Sequence, residues 1–495
     1  MKRLFLLFCL ILLAVSCGCS SKQLASVNIF VTTDIEGVFW SRPEPRYGNE
    51  VVGGLAILKS FLDKQTTPFL LLEGGNWFSQ TPEGTLSQGS YLNDLAAGIP
   101  YAGRLFTEKD LMYGWGSLSQ ILKASPAPFV LSNVTQTGGT LPVGAKPWLL
   151  EKVGDYTIGV IGIVSPQAVQ GRQRLGGLKI GDPVDTARKL VPMLREKGAQ
   201  TIVVLSSLGN SANTITNNDL AEEVSGIDVI ISAGVGSENA EAVSIGKTWI
   251  IYPGARLDSV GQVQLLFNKN KELANIRFED IVLYRRDFGE NQEIAETADE
   301  LRRATRNQMV RAVGKSEQEL TGKIDEESTL GNWAADCLRK WAKADAAVLN
   351  ASSLRAPLPK GEVSQYDLYN LYPYADNVTY LTIKGDALQR ALEESLSIPD
   401  NFTQISGLRI KYDPQAPVGK RITAIKINGA PLTAWATYRV AITDYMLSGG
   451  AGHDGFIDSL EFKNTQVEVR TILRLCLSGK KAATAPELGR WSVVK

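Results

Sequence analysis

Two acidic residues near the start of the chain are the first candidates for chemistry. Asp34 and Glu36 lie in the stretch VTTDIEG, residues 31–37, close behind the β-like run VNIF. A strand that ends in Thr-x-Asp before a turn is a common way to present a carboxylate, and carboxylate oxygens bind hard metal ions. The stretch is therefore a candidate metal site.

Histidine content limits what such a site can be. The 495 residues contain one histidine, His453, which lies in the second half of the chain. Imidazole suits zinc, manganese and related metals. A histidine-ligated two-metal centre near Asp34 is therefore impossible, and nucleophile–histidine–acid triads in the first half are excluded as well.

The first residues have the features of an export signal. A basic start and a short apolar run lead to Ala-Val-Ser-Cys at residues 14–17. This ending resembles a bacterial lipobox, in which the signal is cut before a cysteine that then carries lipid. Cys17 is the predicted lipidation site, Cys19 is the alternative, and ordinary signal cleavage is the remaining interpretation. We expect an exported protein that is lipid-anchored in the bacterial cell envelope, on the periplasmic face or at the outer membrane.

Charge and cysteine content indicate which partners and which covalent links to expect. The chain has 52 Lys and Arg and 52 Asp and Glu, and loss of the leader removes Lys2 and Arg3 but no acid. Nucleic-acid binders usually have a basic excess, so no nucleic-acid partner is expected. Beyond the leader region only Cys337 and Cys476 remain. Two buried thiols are the default expectation, and one disulfide is the alternative in an oxidising compartment.

The order of hydrophobic patterns predicts two domains. From residue 27 to about 268, β-rich runs alternate with helical patterns, which indicates an α/β domain built on sheets. Asp182 and Pro183 predict the start of one of its helices. The stretch 289–312 is charged, lacks Pro and Gly and predicts one long connecting helix.

The rest of the chain has an α+β pattern. Helices are predicted at 330–343 and 385–396, and strands at 345–350, 378–383, 408–412, 421–427 and 438–443. The resulting boundaries are a signal peptide at 1–16, a tether at 17–26, a first domain at 27–286, a connecting helix at 287–314 and a second domain at 315–495.

Eight segments carry a resemblance to a known family. They are TTDIEG, GGLAILKSFL, LLLEGGNWF, LSSLG and IDVIISAGVGS in the first domain, and TLGNWAADCLR, LNASSLRAPLPKGEVSQYDLYNLYPYADN and YRVAITDYMLSGGAGHDGF in the second. In this order they resemble the 5′-nucleotidase family of secreted bacterial and animal enzymes. The resemblance implies an α/β plus α+β fold: a four-layer α/β/β/α metallophosphoesterase-like sandwich with two metals, a connecting helix, and a C-terminal domain that binds the nucleoside.

The family's metal positions are largely replaced in this chain. Two-metal hydrolysis needs several fixed ligands on each ion. The resemblance places one unchanged ligand, Asp34, and puts residues of other types at the remaining positions: Glu36, Asn76, Glu108, Lys109, Ser207, Gly234 and Gly236. No catalytic residue can be assigned with these replacements.

Two interpretations of the altered pocket remain open. In one, oxygens from Asp34, Glu36 and Asn76, with Glu108, hold a single divalent cation, Mg²⁺, Ca²⁺ or Mn²⁺. In the other, which we favour, no metal or other cofactor binds. Lys109 and neighbouring arginines would then neutralise the acids, because a buried group of carboxylates needs compensating charge.

On the ligand side, the resemblance leaves some positions matched and others changed. The resemblance places Tyr374 and Tyr445 where two aromatic rings hold the nucleotide base, and Asn350 and Arg355 where the family contacts the ligand. A nucleoside-like or other planar small molecule is therefore the expected partner, and two tyrosines that merely line an interdomain groove are the alternative.

Several ligand-side positions differ from the family. Ser352 and Ser353 replace glycines, Glu326 replaces a phosphate-binding arginine, and Ala451 replaces an aspartate that contacts ribose. His453, in a glycine-rich loop, is expected to be structural.

Three functions follow as hypotheses. The leading one is a cell-envelope pseudoenzyme that binds a ligand or a protein partner between its domains. The alternatives are an altered phosphoesterase or 5′-nucleotidase with a single oxygen-ligated metal, and a purely structural interaction lipoprotein.

Overall fold

The computed structural model describes residues 24–78, 80–166, 177–209, 215–234, 240–398, 401–479 and 481–494. The predicted lipidation site Cys17 and the predicted site position Gly236 lie outside these ranges. Within them, no helix combines the length and the apolar character that a bilayer crossing requires.

Two sheets form the centre of the first domain. In spatial order, the larger sheet consists of Leu273–Val282, Ser259–Phe267, Ala25–Thr32, Phe69–Glu73, Gly103–Arg104, Phe129–Val130 and Ala145–Lys146. The second sheet consists of Glu241–Ile245, Thr248–Tyr252, Val229–Ser232, Thr201–Ser206, Tyr156–Ile163 and Leu149–Val153. Two short ribbons pair Arg42–Glu44 with Glu50–Val52 and Val134–Gln136 with Leu178–Ile180.

The first domain also contains helices. They are Gly54–Asp63, Pro82–Ser87, Ser90–Leu95, Gly114–Ala124, Pro183–Glu196 and Asn217–Glu223. The cap predicted at Asp182 is confirmed, since its side chain accepts a hydrogen bond from the Asp185 amide at 2.8 Å.

Alternate side chains of the central strands pack on opposite faces of the sheet, and this explains why the first domain is layered. In Thr201–Ser206, Val203 and Leu205 pack into the core between the two sheets, whereas Ile202 and Val204 pack against the helix Pro183–Glu196. Successive side chains of a strand point to opposite faces, so a strand that is apolar on both faces is buried on both. The predicted four-layer α/β/β/α sandwich is confirmed.

The connecting segment contains a shorter helix than the sequence predicts. A turn of helix at Arg285–Phe288 precedes the main helix Gln292–Met309, which the Asn291 side chain caps. It ends at Met309 because the chain then enters the strand Ala312–Ser316, which pairs with Gly361–Ser364.

The second domain is built on a five-stranded sheet. Its strands, in spatial order, are Thr403–Ser406, Ala346–Asn350, Thr437–Thr443, Asn377–Lys384 and Glu461–Glu468. A four-stranded sheet follows, with Ala430–Pro431, Ile422–Ile427, Leu408–Tyr412 and Trp491–Val493. The helices are Thr329–Ala342, Gln365–Leu371, Gly385–Ser395, Asp444–Leu447 and Val469–Leu477.

The default expectation for the two cysteines is wrong. Cys337 and Cys476 form a disulfide that joins the helices Thr329–Ala342 and Val469–Leu477 across 139 residues of sequence. These helices pack against each other in the second domain, and this contact brings the two sulfur atoms together.

Candidate functional site

Two loops of the first domain bring Asp34, Glu36 and Asn76 together. They follow the parallel strands Ala25–Thr32 and Phe69–Glu73, whose carboxyl ends meet at one edge of the sheet. The loops are joined by backbone hydrogen bonds from the Asp34 amide to Gly75 and from the Glu36 amide to Asn76, each of 2.9 Å.

The backbone of this site is strained. Asp34, Glu36 and Asn76 have φ angles of 50°, 55° and 58°, in the left-handed region that non-glycine residues seldom adopt. Three such residues in one pair of loops are costly, and strain of this kind is concentrated at functional sites. The conformation of these two loops therefore supports the position of a candidate functional site here.

The Asp34 carboxylate is buried and accepts hydrogen bonds on both oxygens. Oδ1 accepts from the Asn76 side-chain amide at 2.7 Å, and the Gly234 amide lies 3.0 and 3.1 Å from the two oxygens. Burial raises the pKa of Asp34 to about 6, against the opposing effects of Lys109 and Asn76. Both oxygens thus face nitrogen donors.

Lys109 supplies a positive charge to this group of acids. Its Nζ donates a hydrogen bond to the Gly234 carbonyl at 3.2 Å. Burial alone would lower the pKa of Lys109, but the carboxylates of Asp34, Glu36 and Glu108 raise it above its ordinary value. The ammonium group is therefore held charged beside the acids.

These side chains do not fit a two-metal centre. Over the described ranges, no three His, Cys, Asp or Glu side chains are grouped closely enough to hold a metal ion. Gly234 has no side chain, and the Ser207 hydroxyl accepts a hydrogen bond from the Ser165 amide at 3.0 Å. The donor set lacks the several ligands that each ion would need.

Glu36 connects the first domain to the second. Its Oε1 accepts a hydrogen bond from the Gln80 side-chain amide at 2.8 Å, and its Oε2 pairs with an Arg355 guanidinium nitrogen at 3.3 Å. Glu36 is buried, whereas 37 % of the Arg355 side chain is exposed. One predicted metal-site position and one predicted ligand-binding residue thus contact each other directly.

One of the two predicted aromatic residues, Tyr374, lies at the same interface. The Tyr374 hydroxyl donates to Gln80 Oε1 at 2.9 Å. Burial raises the pKa of Tyr374 to about 12; Arg355 opposes this shift, and Glu36 and Tyr445 add to it. Tyr445 thus acts on Tyr374 electrostatically.

Asn350 is engaged by the serines that replace the family glycines. Its amide nitrogen donates to Ser352 Oγ at 2.9 Å, and Ser353 Oγ donates to its carbonyl oxygen at 2.7 Å. Both ends of this predicted ligand-binding side chain therefore bind within its own loop.

Two further positions have local partners. Glu326 is exposed and pairs with Lys323. His453 is buried, with ring nitrogens 3.2 Å from the Gly450 carbonyl and 3.4 Å from Thr403 Oγ1, as expected for a structural residue.

Sequence reasoning missed two residues of the site. Gln80 bridges Glu36 and Tyr374, and its proximity to Asn76 in sequence was the available signal. Asp110 is buried and accepts hydrogen bonds from the backbone amides of Asn76, Trp77 and Thr107 at 2.7 to 2.9 Å. Burial raises the pKa of Asp110 to about 6, against these backbone donors. It fixes the loop that carries Asn76.

Comparison with known proteins identifies the second domain. Residues 312–458 match the family model described as the 5′-nucleotidase C-terminal domain. The second domain is thus similar to the C-terminal domain of 5′-nucleotidases. A solved structure of a 5′-nucleotidase precursor from Thermus thermophilus has a TM-score of 0.78 at 22% identity, covering 95% of this chain and 99% of that one.

Two further proteins are similar to the chain at low identity. A protein from Staphylococcus aureus, solved in complex with α-ketoglutarate, has a TM-score of 0.78 at 19% identity and covers 95% of this chain and 100% of that one. The trifunctional nucleotide phosphoesterase YfkN of Bacillus subtilis is 24% identical over 354 residues, which are 67% of this chain and 24% of that protein. The chain thus spans about a quarter of that relative, and the two structures establish the two-domain fold.

Proposed function

We propose that this protein is a 5′-nucleotidase-family pseudoenzyme, lipid-anchored in the bacterial cell envelope, which binds a ligand or partner between its domains. The observation that carries the proposal is the position of Lys109. Its ammonium group donates to the Gly234 carbonyl and is held charged by Asp34, Glu36 and Glu108. A built-in cation neutralises the acids that would otherwise attract metal ions.

The ligand that best fits the interdomain groove is planar and partly anionic. Tyr374 and Tyr445 supply aromatic surface, and stacking a base on such a ring contributes about 1–3 kcal/mol. Arg355, which pairs with Glu36 at the interface and is 37 % exposed, is suited to a carboxylate or a phosphate. The α-ketoglutarate complex of the Staphylococcus aureus protein shows that a protein of this fold can hold a small anion.

A second candidate function is hydrolysis of a phosphate ester with one oxygen-ligated divalent cation near Asp34. Asp34, the one family metal ligand that the resemblance leaves unchanged, supports it. The name of the Bacillus subtilis relative, a nucleotide phosphoesterase, favours it as well.

Metal content and hydrolysis separate the two candidates. Purified protein incubated with Mn²⁺, Mg²⁺, Ca²⁺ or Zn²⁺ and then desalted should retain less than one equivalent of each ion by elemental analysis. It should not hydrolyse a panel of nucleotides and other phosphate monoesters. One tightly bound equivalent together with hydrolysis, both lost in Asp34→Ala, would establish the enzyme instead.

Ligand binding is tested through the aromatic pair. Nucleosides and nucleotides should raise the melting temperature of the wild type, and Tyr374→Ala and Tyr445→Ala should each abolish the increase. Tyr374→Phe, which retains the ring, is the matched control and should preserve it. If no compound changes the melting temperature, the ligand-binding function is wrong and a structural role in the envelope remains.

A further inference from the structure

The two domains contact each other through the residues of the altered site itself. From the first domain, Glu36 is buried at the end of the leading strand. From the second, Arg355 follows the turn Ala351–Ser353 and reaches Glu36 Oε2 at 3.3 Å. This ion pair joins residues 319 positions apart in sequence.

Gln80 provides a second connection between Glu36 and the second domain. Gln80 donates to Glu36 Oε1 at 2.8 Å and accepts from the Tyr374 hydroxyl at 2.9 Å. Both oxygens of Glu36 are therefore tied to the second domain, one directly and the other through Gln80. The two partners from that domain, Arg355 and Tyr374, are the residues that a ligand in the groove would contact.

In the pair of Glu36 with Arg355, the Glu36 carboxylate occupies the guanidinium as the anionic group of a ligand would. A guanidinium group recognises carboxylate and phosphate oxygens through the same N–H donors. While Glu36 lies on Arg355, an external anion would meet a guanidinium that is already engaged and a carboxylate that repels it.

We propose that Glu36 is a built-in ligand of Arg355 that closes the interdomain groove, and that an external phosphate monoester on a planar base must displace it to bind. Displacement separates Glu36 from Arg355 and loosens the contact between the domains. This inference rests on the proposed ligand-binding function, while its effect on domain contact can be measured without any ligand.

Another cross-domain contact provides a matched control. The Tyr366 hydroxyl donates to Glu83 Oε1 at 3.2 Å, beside the connecting-helix residue Arg306, whose guanidinium lies 5.4 Å from the Tyr366 ring centre. Tyr366→Phe removes one hydrogen bond between the domains and leaves Glu36 and Arg355 in place. It separates a general loosening of the interface from the loss of the built-in ligand.

Calorimetric titration with AMP and with adenosine tests the proposal. Glu36→Gln should raise the affinity for AMP about tenfold, because it removes the competing charge, and should leave adenosine binding unchanged. Adding Arg355→Met to Glu36→Gln should abolish the gain, and Tyr366→Phe should behave as wild type. AMP affinity that is unchanged or lower in Glu36→Gln would overturn the proposal.

A ligand-free measurement distinguishes failure of this inference from failure of the proposed function. Spin labels on the two domains report the distribution of interdomain distances. Glu36→Gln should broaden this distribution relative to wild type and to Tyr366→Phe. If neither AMP nor adenosine binds any variant, the ligand-binding function fails, and the distance distribution alone decides whether Glu36 holds the domains together. An unchanged distribution in Glu36→Gln would reject that role.

Discussion

Lys109 Nζ lies 3.2 Å from the carbonyl oxygen of Gly234, whose amide lies 3.0 Å from Asp34 Oδ1. One glycine therefore receives a hydrogen bond from the cation and faces the acid with its own amide. The family resemblance places a histidine at Gly234, and the absence of a side chain there leaves the peptide group to link Asp34 and Lys109. At the position where the resemblance would place metal ligands, this protein has Asp34 and Lys109, linked through the peptide group of Gly234.

Removing the lysine should destabilise the first domain. Lys109→Met removes the ammonium group that acts on Asp34, Glu36 and Glu108, and the cost should be about 2 kcal/mol of unfolding free energy at neutral pH, because Lys109 is half-buried. Urea denaturation followed by tryptophan fluorescence measures it.

The control for this prediction is Lys123→Met. Lys123 is exposed at the end of the helix Gly114–Ala124, so its substitution should change the unfolding free energy by about 0.5 kcal/mol or less. Adding Asp34→Asn to Lys109→Met should recover part of the loss through the removal of one acid. Equal effects of the two lysine substitutions would contradict a charge-neutralising role for Lys109.

Asp34 should make stability depend on pH. Its pKa is about 6 in the folded protein, against an ordinary value of 3.8. Since the folded state takes up this proton more readily than the unfolded chain, the contribution is fully present below about pH 4 and is lost as the pH rises through about 6. A difference of this size corresponds to roughly 3 kcal/mol.

Asp34→Asn isolates this contribution. The unfolding free energy of wild type minus that of the variant should fall by roughly 3 kcal/mol between about pH 4 and pH 7. Asp110, whose pKa is also about 6, is present in both proteins and cancels from the difference. Denaturation series at several pH values provide the measurement, and a difference that is constant or rises with pH would contradict the assignment.

Local patterns and the order of motifs were sufficient to predict most of the fold. The strand predicted at 408–412 is observed at Leu408–Tyr412, and the helix predicted at 330–343 is observed at Thr329–Ala342. Alternation and capping are local signals, which is why these elements were found. The grouping of Asp34 with Asn76 was also accessible, because both follow strand ends.

The contacts between distant segments could not be predicted in the same way. Gln80 bridges Glu36 and Tyr374 only because the two domains meet at that loop. The pairing of Cys337 with Cys476 depends on how two helices dock, and no feature of either segment alone encodes it. The hydrogen bond from Ser353 to Asn350 depends on the conformation of the turn Ala351–Ser353, which the replacement of glycines by serines leaves open in the sequence.

The disulfide should contribute substantially to the second domain. It closes a loop of 139 residues, and replacing both Cys337 and Cys476 with serine should lower the unfolding free energy by about 4 kcal/mol. Reduced wild type should match the double variant under the same conditions. Thiol titration of the denatured protein should detect two more thiols after reduction than before it. Two additional thiols already present without reductant would show that the bond does not form.

Ser353 should matter more for stability than its neighbour Ser352. The Asn350 carbonyl oxygen is buried and accepts from Ser353 Oγ at 2.7 Å, whereas Ser352, which accepts from the Asn350 amide, is half-buried. Ser353→Ala leaves a buried acceptor without its donor and should cost about 1–2 kcal/mol of unfolding free energy. Ser352→Ala is the matched control and should cost about half as much, since water can reach the freed amide more easily. Urea denaturation of wild type and both variants measures the two losses of unfolding free energy. If Ser352→Ala costs as much as Ser353→Ala or more, Asn350 is not held mainly through its carbonyl oxygen.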